Sequence, residues 1–360
     1  MRILIVIILA LCGLYLAFWP VPIRPVAWES PPDQGLTGDF AANERLAPLE
    51  FVEVEPFSHP EDIAGADDGT LFVTLEQGAV AEIGPGGELS LLARTGGRPL
   101  GIELAPGGDL IVANAELGLQ RVTRDGKIGV LANRHDGAFL TYVNDVAVTA
   151  DGRIYFTQST QNVDPRKYGG ALQASIMDLL EHGDSGRLLL YDPATERTRV
   201  ITAGFSFLNG VALAPDESFL LLAETGEYRI WRYWLSGPRA GEREVILNNL
   251  PGFPDNINTG RDGRFWIGLV SPRNALLDSL AGSPFLRRSV QRLPSFLKPK
   301  PVPSTHVIAI DRDGSVLANL QHDGSVLTQA TGVYETDTHL VLSSLASPGY
   351  GRIAKSAVGL

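Results

Sequence analysis

Four oxygen-bearing residues, Glu61, Asn144, Asn209 and Asp255, stand at one repeated place in this 360-residue chain. Each lies seven positions before a turn marker, Asp68, Asp151, Asp216 or Asp262, that opens an apolar run. Counting back seven from the two other markers, Gly107 and Asp337, gives Leu100 and Ala330. If the six segments are equivalent strands around one axis, these residues form a ring at one level. Two carboxylates buried in such a ring repel and raise one another's pKa unless a cation lies between them. Carboxylate and amide oxygens are hard donors, and the ring holds neither His nor Cys. Calcium, which takes several oxygens in a flexible shell, suits that set better than zinc, or than magnesium with its strict hydrated octahedron.

The next position along holds Asp62, Gly101, Asp145, Gly210 and Asn256. Asn256 adds an oxygen to the first ion. Asp62 and Asp145 alternate away from it and either hold a second, deeper ion or cap backbone amides. Read singly, each Asn-Gly or Asn-Asp pair is a turn dipeptide that caps a strand; four oxygen-bearing residues in one fixed register favour the metal. Such an ion would polarise a carbonyl and stabilise a developing oxyanion, the chemistry of ester or lactone hydrolysis. Asp255 or Glu61 would take a proton from the attacking water, or Asp255 would attack directly.

The elements that must position these residues are strands. The repeating unit is a tight turn followed by an apolar strand, as in Asp68-Gly-Thr-Leu-Phe-Val, Asp151-Gly-Arg-Ile-Tyr-Phe and Asp262-Gly-Arg-Phe-Trp-Ile. Asp-Gly between apolar runs signals a hairpin, because the turn needs positive φ. Six such units of about four strands, at intervals of about 40 residues or more, predict an all-β fold, a six-bladed β-propeller. The apolar run 49–54 precedes the first unit and would complete the last blade, leaving no open edge. The competing architecture is a β-sandwich with a second small domain. Insertions at 162–185 and 272–303 predict short helices on one rim, including one around 172–180. Residues 275–296 carry apolar positions at helical spacing beside Arg287, Arg288 and Arg292, with Lys298 and Lys300 following. Between 271 and 300, six basic residues face one acidic residue. That predicts either a lid that also leans on anionic lipid or a solvated helix packed on the rim.

Positions 3–19 are uncharged and apolar, preceded by Arg2, with Tyr15 and Trp19 near the end and Pro20 and Pro22 beyond. The run just reaches the lower limit for a transmembrane helix and is long for a signal peptide. The expected organisation is a membrane anchor at 1–22, a tether at 23–45 and the propeller at 46–360. The body would then lie outside the cytoplasm, periplasmic or lumenal, or be secreted if the N-terminus is cleaved. The single cysteine, Cys12, lies in the apolar segment, so no intrachain disulfide and no thiol nucleophile is expected. A net charge of −11 argues against a nucleic-acid partner. High Gly and Pro, 39 and 24 residues, agree with many short strands and turns.

At these residues the chain resembles the calcium-dependent six-bladed hydrolases, a superfamily that includes paraoxonases, gluconolactonase/senescence marker proteins and diisopropyl fluorophosphatase. More closely, it is similar to the strictosidine synthase-like branch with the adipocyte plasma membrane-associated proteins. The resemblance is carried by Pro60-Glu-Asp-Ile-Ala, Arg98-Pro-Leu-Gly-Ile, Val143-Asn-Asp-Val-Ala-Val, Leu208-Asn-Gly-Val-Ala-Leu, Arg229-Ile-Trp-Arg-Tyr-Trp-Leu and Leu250-Pro-Gly-Phe-Pro-Asp-Asn-Ile. It implies that Glu61, Asn144, Asn209 and Asp255, with Asn256, bind a catalytic calcium, and that Asp62 and Asp145 match a structural calcium site. Two departures stand out. Paraoxonases place a histidine pair where this chain has Leu100 and Ala115. Strictosidine synthase uses a late glutamate without calcium; Glu335 lies in that neighbourhood, but no motif fixes it, so the condensation is not expected. His59 and His135, near the ring, are read as structural. The expected function is hydrolysis of a small-molecule ester or lactone; the rival is a calcium-stabilised propeller that only binds a ligand or protein.

Overall fold

The computed structural model describes residues 1–298 and 300–360. Six four-stranded antiparallel sheets form the body, each strand pairing with its neighbour in order. Their first strands are Ile63–Gly65, Pro99–Leu104, Val143–Val148, Leu208–Leu213, Gly252–Thr259 and Ala330–Glu335. Each touches the next in a closed cycle, and the last returns to the first. This is the six-bladed propeller. The closure falls where the 49–54 run predicts it: Glu50–Glu53 pairs with Gly349–Ala354 as the outermost strand of the sixth blade.

The second strands explain why their sequences lack alternation. Phe219, Leu220, Leu221, Leu222 and Ala223 are all buried, because both faces of the blade pack against neighbouring blades. Phe219 meets Phe265 of the next blade at 5.9 Å between ring centroids. Each such side chain contributes roughly 1.5–3 kcal/mol when removed from water, so the inter-blade seams are the main source of stability.

The helices depart from expectation in three ways. Helix α1, Arg2–Phe18, has 17 residues. At 1.5 Å per residue that is about 26 Å, short of the roughly 30 Å of a bilayer's hydrocarbon core. Among the described residues no helix is long and apolar enough to cross a membrane, so the expected transmembrane helix is not found. The expected tether is not a free linker: Val26 N–H donates to Glu181 O at 2.9 Å, and Trp28 stacks on His182 with centroids 3.9 Å apart. Finally, the 272–303 insertion forms two helices rather than one, α3 (Ala275–Ser279) and α4 (Pro284–Gln291), because Gly282, Ser283 and Pro284 interrupt the pattern. The 162–185 insertion contains the expected rim helix, here Ala171–Glu181 and called αR below.

Three of the six basic residues of the 272–303 insertion do not contribute to a basic face. Arg273, Arg287 and Arg292 are buried. Arg287 donates to the carbonyls of Leu180, Val26 and Ala281, and Arg292 to those of Leu16 and Trp19. Arg273 pairs with Asp278 at 3.0 Å. Arg287 and Arg292 thus bind carbonyls left over at helix ends, and Arg273 an acidic side chain, rather than facing solvent.

Candidate metal centre

Each innermost strand after the first breaks its ladder at the same two places, and the ring residues occupy the break. Val143 and Val146 bracket Asn144 and Asp145; Leu208 and Val211 bracket Asn209 and Gly210; Pro254 and Ile257 bracket Asp255 and Asn256. Pro99 and Ile102 bracket Leu100 and Gly101. In blade six the brackets are Ala330 and Val333, so Thr331 takes the ring position expected for Ala330. The count slips because that turn is tighter. Thr336 N–H donates to His339 O, three residues on, whereas Thr149 reaches Arg153 and Gly260 reaches Arg264, four residues on. A bulge bends the strand and re-aims its side chains, which is how the same short segment can serve the channel in each blade.

A set of threonines that sequence reading missed holds this level together. Thr74, Thr157 and Thr225 donate their hydroxyls to the carbonyls of Leu100, Asn209 and Pro254 in the following blade, at 2.5, 2.7 and 2.7 Å. Their recurrence at the end of the second strands was the available signal. The small residues at the next level are equally fixed: a Cβ on Gly210 would lie 2.4 Å from Ile257 N.

Glu61, Asn144, Asn209 and Asp255 all line one cavity of about 520 Å³ at the centre of the propeller. Asn209 Nδ2 donates to Asp255 Oδ1 at 2.5 Å and to Thr225 Oγ1 at 3.2 Å. Asn144 Nδ2 donates to Ser159 Oγ at 2.8 Å. Asn256 lies behind Glu61 and donates to its Oε1 at 3.3 Å. After these bonds, Glu61 Oε2, Asn209 Oδ1, Asp255 Oδ2 and Asn256 Oδ1 remain buried without a partner among the described residues. A buried acceptor without a donor costs about 1–3 kcal/mol, and four from adjoining residues need a common explanation.

The electrostatics point the same way. Glu61 is pushed well above the usual carboxylate range, first by burial, then by the charges of Asp255 and Asp62. Asp255 is pushed up to about 7, again chiefly by burial, with the Asn209 bond pulling it back. A divalent cation would relieve both. The donor set is hard, all carboxylate and amide oxygen, and so fits calcium. Among the described residues no three His, Cys, Asp or Glu side chains gather closely enough to hold a metal, so any ion here rests on the mixed carboxylate–amide set.

Asp62 and Asp145 lie at the next level and have a different occupation. Asp62 accepts from Ile102 N–H at 3.0 Å and Asn258 Nδ2 at 3.1 Å. Asp145 accepts from Val146 N–H at 2.8 Å and Val211 N–H at 2.7 Å. All four oxygens thus have donors, and each carboxylate ties its blade to the next.

The remaining residues are placed as follows. His59 pairs with Glu76 at the cavity mouth, and His135 pairs with Asp136 in a hairpin between blades two and three. Leu100 and Ala115 are buried apolar residues. Glu335 is outside the cavity, held by Arg264, Lys355 and Trp266. The roof is apolar: Ile176 and Leu179 of αR, Leu277 and Leu280 from α3 and its C-cap, and Val290 of α4.

Residues 144–238 match the family model of strictosidine synthase, and residues 38–83 that of the strictosidine synthase-like N-terminal region. The human adipocyte plasma membrane-associated protein is 34% identical over 94% of this chain and 85% of its own length. The Arabidopsis thaliana protein strictosidine synthase-like 6 is 33% identical over 81% of this chain and 78% of its own. Among solved structures, a gluconolactonase from Xanthomonas campestris superposes with a TM-score of 0.60 at 17% identity, covering 85% of this chain and 88% of that one. A calcium-binding regucalcin from Agrobacterium tumefaciens gives 0.56 at 12% identity, covering 84% and 93%. These two likenesses concern the fold. With the sequence relatives spanning nearly the whole chain, this protein belongs to the strictosidine synthase-like family that includes the adipocyte plasma membrane-associated proteins.

Proposed function

We propose that this chain hydrolyses carboxylic esters or lactones at a calcium ion held on the cavity floor by Glu61, Asn144, Asn209 and Asp255, with Asn256 as a further oxygen. The observation that carries this reading is the group of four buried, unpartnered oxygens on Glu61, Asn209, Asp255 and Asn256. The gluconolactonase and the calcium-binding regucalcin among the structural neighbours support the same direction. Bound there, the ion supplies Lewis-acid polarisation of a substrate carbonyl. The chain supplies the rest. Thr225 and Ser159 fix the amides of Asn209 and Asn144. The roof leucines exclude bulk water. Asp255 Oδ2, unpartnered and at the cavity, receives the proton of an attacking water.

The replacement of a histidine pair by Leu100 and Ala115 favours a second reading, a calcium-stabilised propeller that binds without turnover. Hydrolysis of a panel of aryl esters and lactones, measured with calcium and with chelator, separates the two. Calcium-dependent turnover that falls at least 100-fold in Asp255→Ala supports the hydrolase. Calcium binding without turnover on any panel member supports the scaffold, and turnover untouched by Asp255→Ala refutes the assigned site.

Association with a membrane surface, in keeping with the relatives' name, is proposed through apolar residues that the fold leaves exposed. Ile3, Leu4 and Leu9 of α1, and Phe285, Leu286, Phe296 and Leu297 of the insertion, are all solvent-facing, with Arg288 exposed beside them. The segments are joined, since Ser289 Oγ of α4 donates to Leu16 O of α1 at 2.9 Å. Flotation with vesicles of neutral and anionic lipid tests this. Loss of binding in Phe285→Ser/Leu286→Ser is expected, and full binding by that variant would refute a role for the insertion.

A further inference from the structure

Among the described charged side chains that line the cavity, Arg98 is the buried one with no assigned task; Glu116 is half-buried and Lys300 exposed. Arg98 precedes the innermost strand of blade two, is 8% exposed, and lines the cavity together with Glu61. Among the described residues its guanidinium donates no hydrogen bond, and Nη1 is fully buried without a partner. The other buried arginines among the described residues each donate at least one side-chain hydrogen bond. Arg273 has Asp278, Asn249 and Pro31 O; Arg287 and Arg292 have helix carbonyls. The acids around Arg98 are committed elsewhere. Glu61 Oε1 receives Asn256 and its other oxygen faces the candidate ion, while Glu76 is paired with His59.

An unpaired buried cation is costly, several kcal/mol after relaxation, so the structure calls for an acceptor that the folded chain does not contain. The walls say what that acceptor is attached to. Leu100, Tyr142, Phe207, Ile176 and Leu277 line the same space, and none can receive a guanidinium proton except the Tyr142 hydroxyl. That hydroxyl donates to Ala171 O at 3.0 Å, and among the described residues no hydrogen bond joins it to Arg98.

We infer that Arg98 is the anchor for a carboxylate on an otherwise apolar ligand, so that the cavity selects amphipathic acids: the carboxylate on the guanidinium fork, the hydrocarbon under the roof helices. A planar fork matches a carboxylate bidentately and loses less on desolvation than a lysine ammonium, which does not reproduce that geometry. The inference rests on the cavity being the ligand site of the proposed function, and extends it from a reaction type to a substrate class. An ester or lactone of this class carries a free carboxylate away from its scissile carbonyl.

Binding rather than turnover tests it, so that failure of the hydrolytic reading and failure of this one stay separate. Octanoate and 1-octanol, matched in chain length, are titrated by calorimetry into the calcium-loaded full chain and into Arg98→Gln. Wild type is expected to prefer octanoate by at least 10-fold. Arg98→Gln is expected to lose that preference while binding 1-octanol as wild type does. No preference in wild type, or a preference that survives in Arg98→Gln and so belongs to the ion, overturns the inference. Should Arg98→Gln lose 1-octanol as well, Arg98→Lys replaces it. A preference reduced several-fold in that variant then supports the fork, and one unchanged from wild type overturns it.

Discussion

Thr331 donates its hydroxyl to the backbone carbonyl of Glu61 at 2.6 Å, across the seam where the last blade meets the first. It is the counterpart of the straps from Thr74 and Thr157, placed where the ring closes. Glu61 has only the three-residue strand Ile63–Gly65 after it to fix its position, so this bond carries more of the load there. Thr331→Val keeps the shape and removes the donor, leaving a buried carbonyl without its hydroxyl. The expected loss is about 1–2 kcal/mol of stability and a weaker calcium affinity, read by chemical denaturation and by calcium titration. Unchanged calcium affinity would detach the strap from the ring's function.

The ring and the blades were readable in sequence because both follow from one repeat: a turn that needs positive φ, then a strand buried on both faces. Where a turn loses one residue, as at Thr336, the count slips by one and Ala330 is mistaken for Thr331. The buried arginines were not readable. Charge counting treats Arg287 and Arg292 as a basic face, but their role is set by which carbonyls the ends of αR and α1 leave open, and that depends on how the helices dock. For the same reason residues 23–45, Pro-rich and polar, look like a tether although Ile23 is buried and Trp28 lies on His182.

Without calcium the two ring carboxylates work against folding, since burial raises both and neighbouring charges add to it, Asp255 and Asp62 on Glu61 and Asp62 on Asp255. Asp255→Asn removes one charge and keeps the shape. At pH 8 in chelator, where both wild-type groups are most ionised, the variant is expected to melt a few degrees above wild type. In calcium at 100 times its dissociation constant, wild type should gain about 2.7 kcal/mol and the variant little or nothing. Differential scanning fluorimetry in the two buffers reads both. A variant that is less stable than wild type in chelator would contradict the repulsion, and one that keeps the full calcium shift would contradict the site.

Arg287 is the bolt of the cavity roof. Its guanidinium joins the C-terminal end of αR to the segment at Val26 and to the turn between α3 and α4 at Ala281. Arg287→Ala opens a cavity and takes the guanidinium from the carbonyls of Leu180 and Val26, while Ala281 O keeps the Trp28 N–H, an expected cost of about 3 kcal/mol or more. The loss should be local: faster hydrogen exchange in αR, α4 and residues 23–32, with the blades unchanged, and earlier proteolysis before residue 45. Uniform destabilisation of all six blades would mean the roof is not a separate unit.

Acid should unfold the protein through two windows that two residues far from the ring define. His306 is buried against Asn319 Oδ1 at 2.9 Å; burial lowers its pKa to about 4. The unfolded histidine takes up its proton first, near 6.5. Stability from this group is therefore complete above that value and lost as pH falls towards 4. Glu335 has the opposite chemistry with the same outcome at lower pH. Burial alone would raise it, but the bonds from Arg264, Lys355 and Trp266 more than reverse this and bring it down to about 2. Its folded pKa is below the unfolded value near 4.3, so its contribution is present above that and lost as pH falls towards 2. The full difference is at most about 3 kcal/mol for either group. Measured as variant minus wild type, which cancels the ring carboxylates, the stability difference of His306→Asn should vary with pH between 6.5 and 4 and level off on both sides. That of Glu335→Gln should stay flat above about 5 and vary below it. A Glu335→Gln difference that changes with pH above 5 would show that this carboxylate is not held ionised by its three partners.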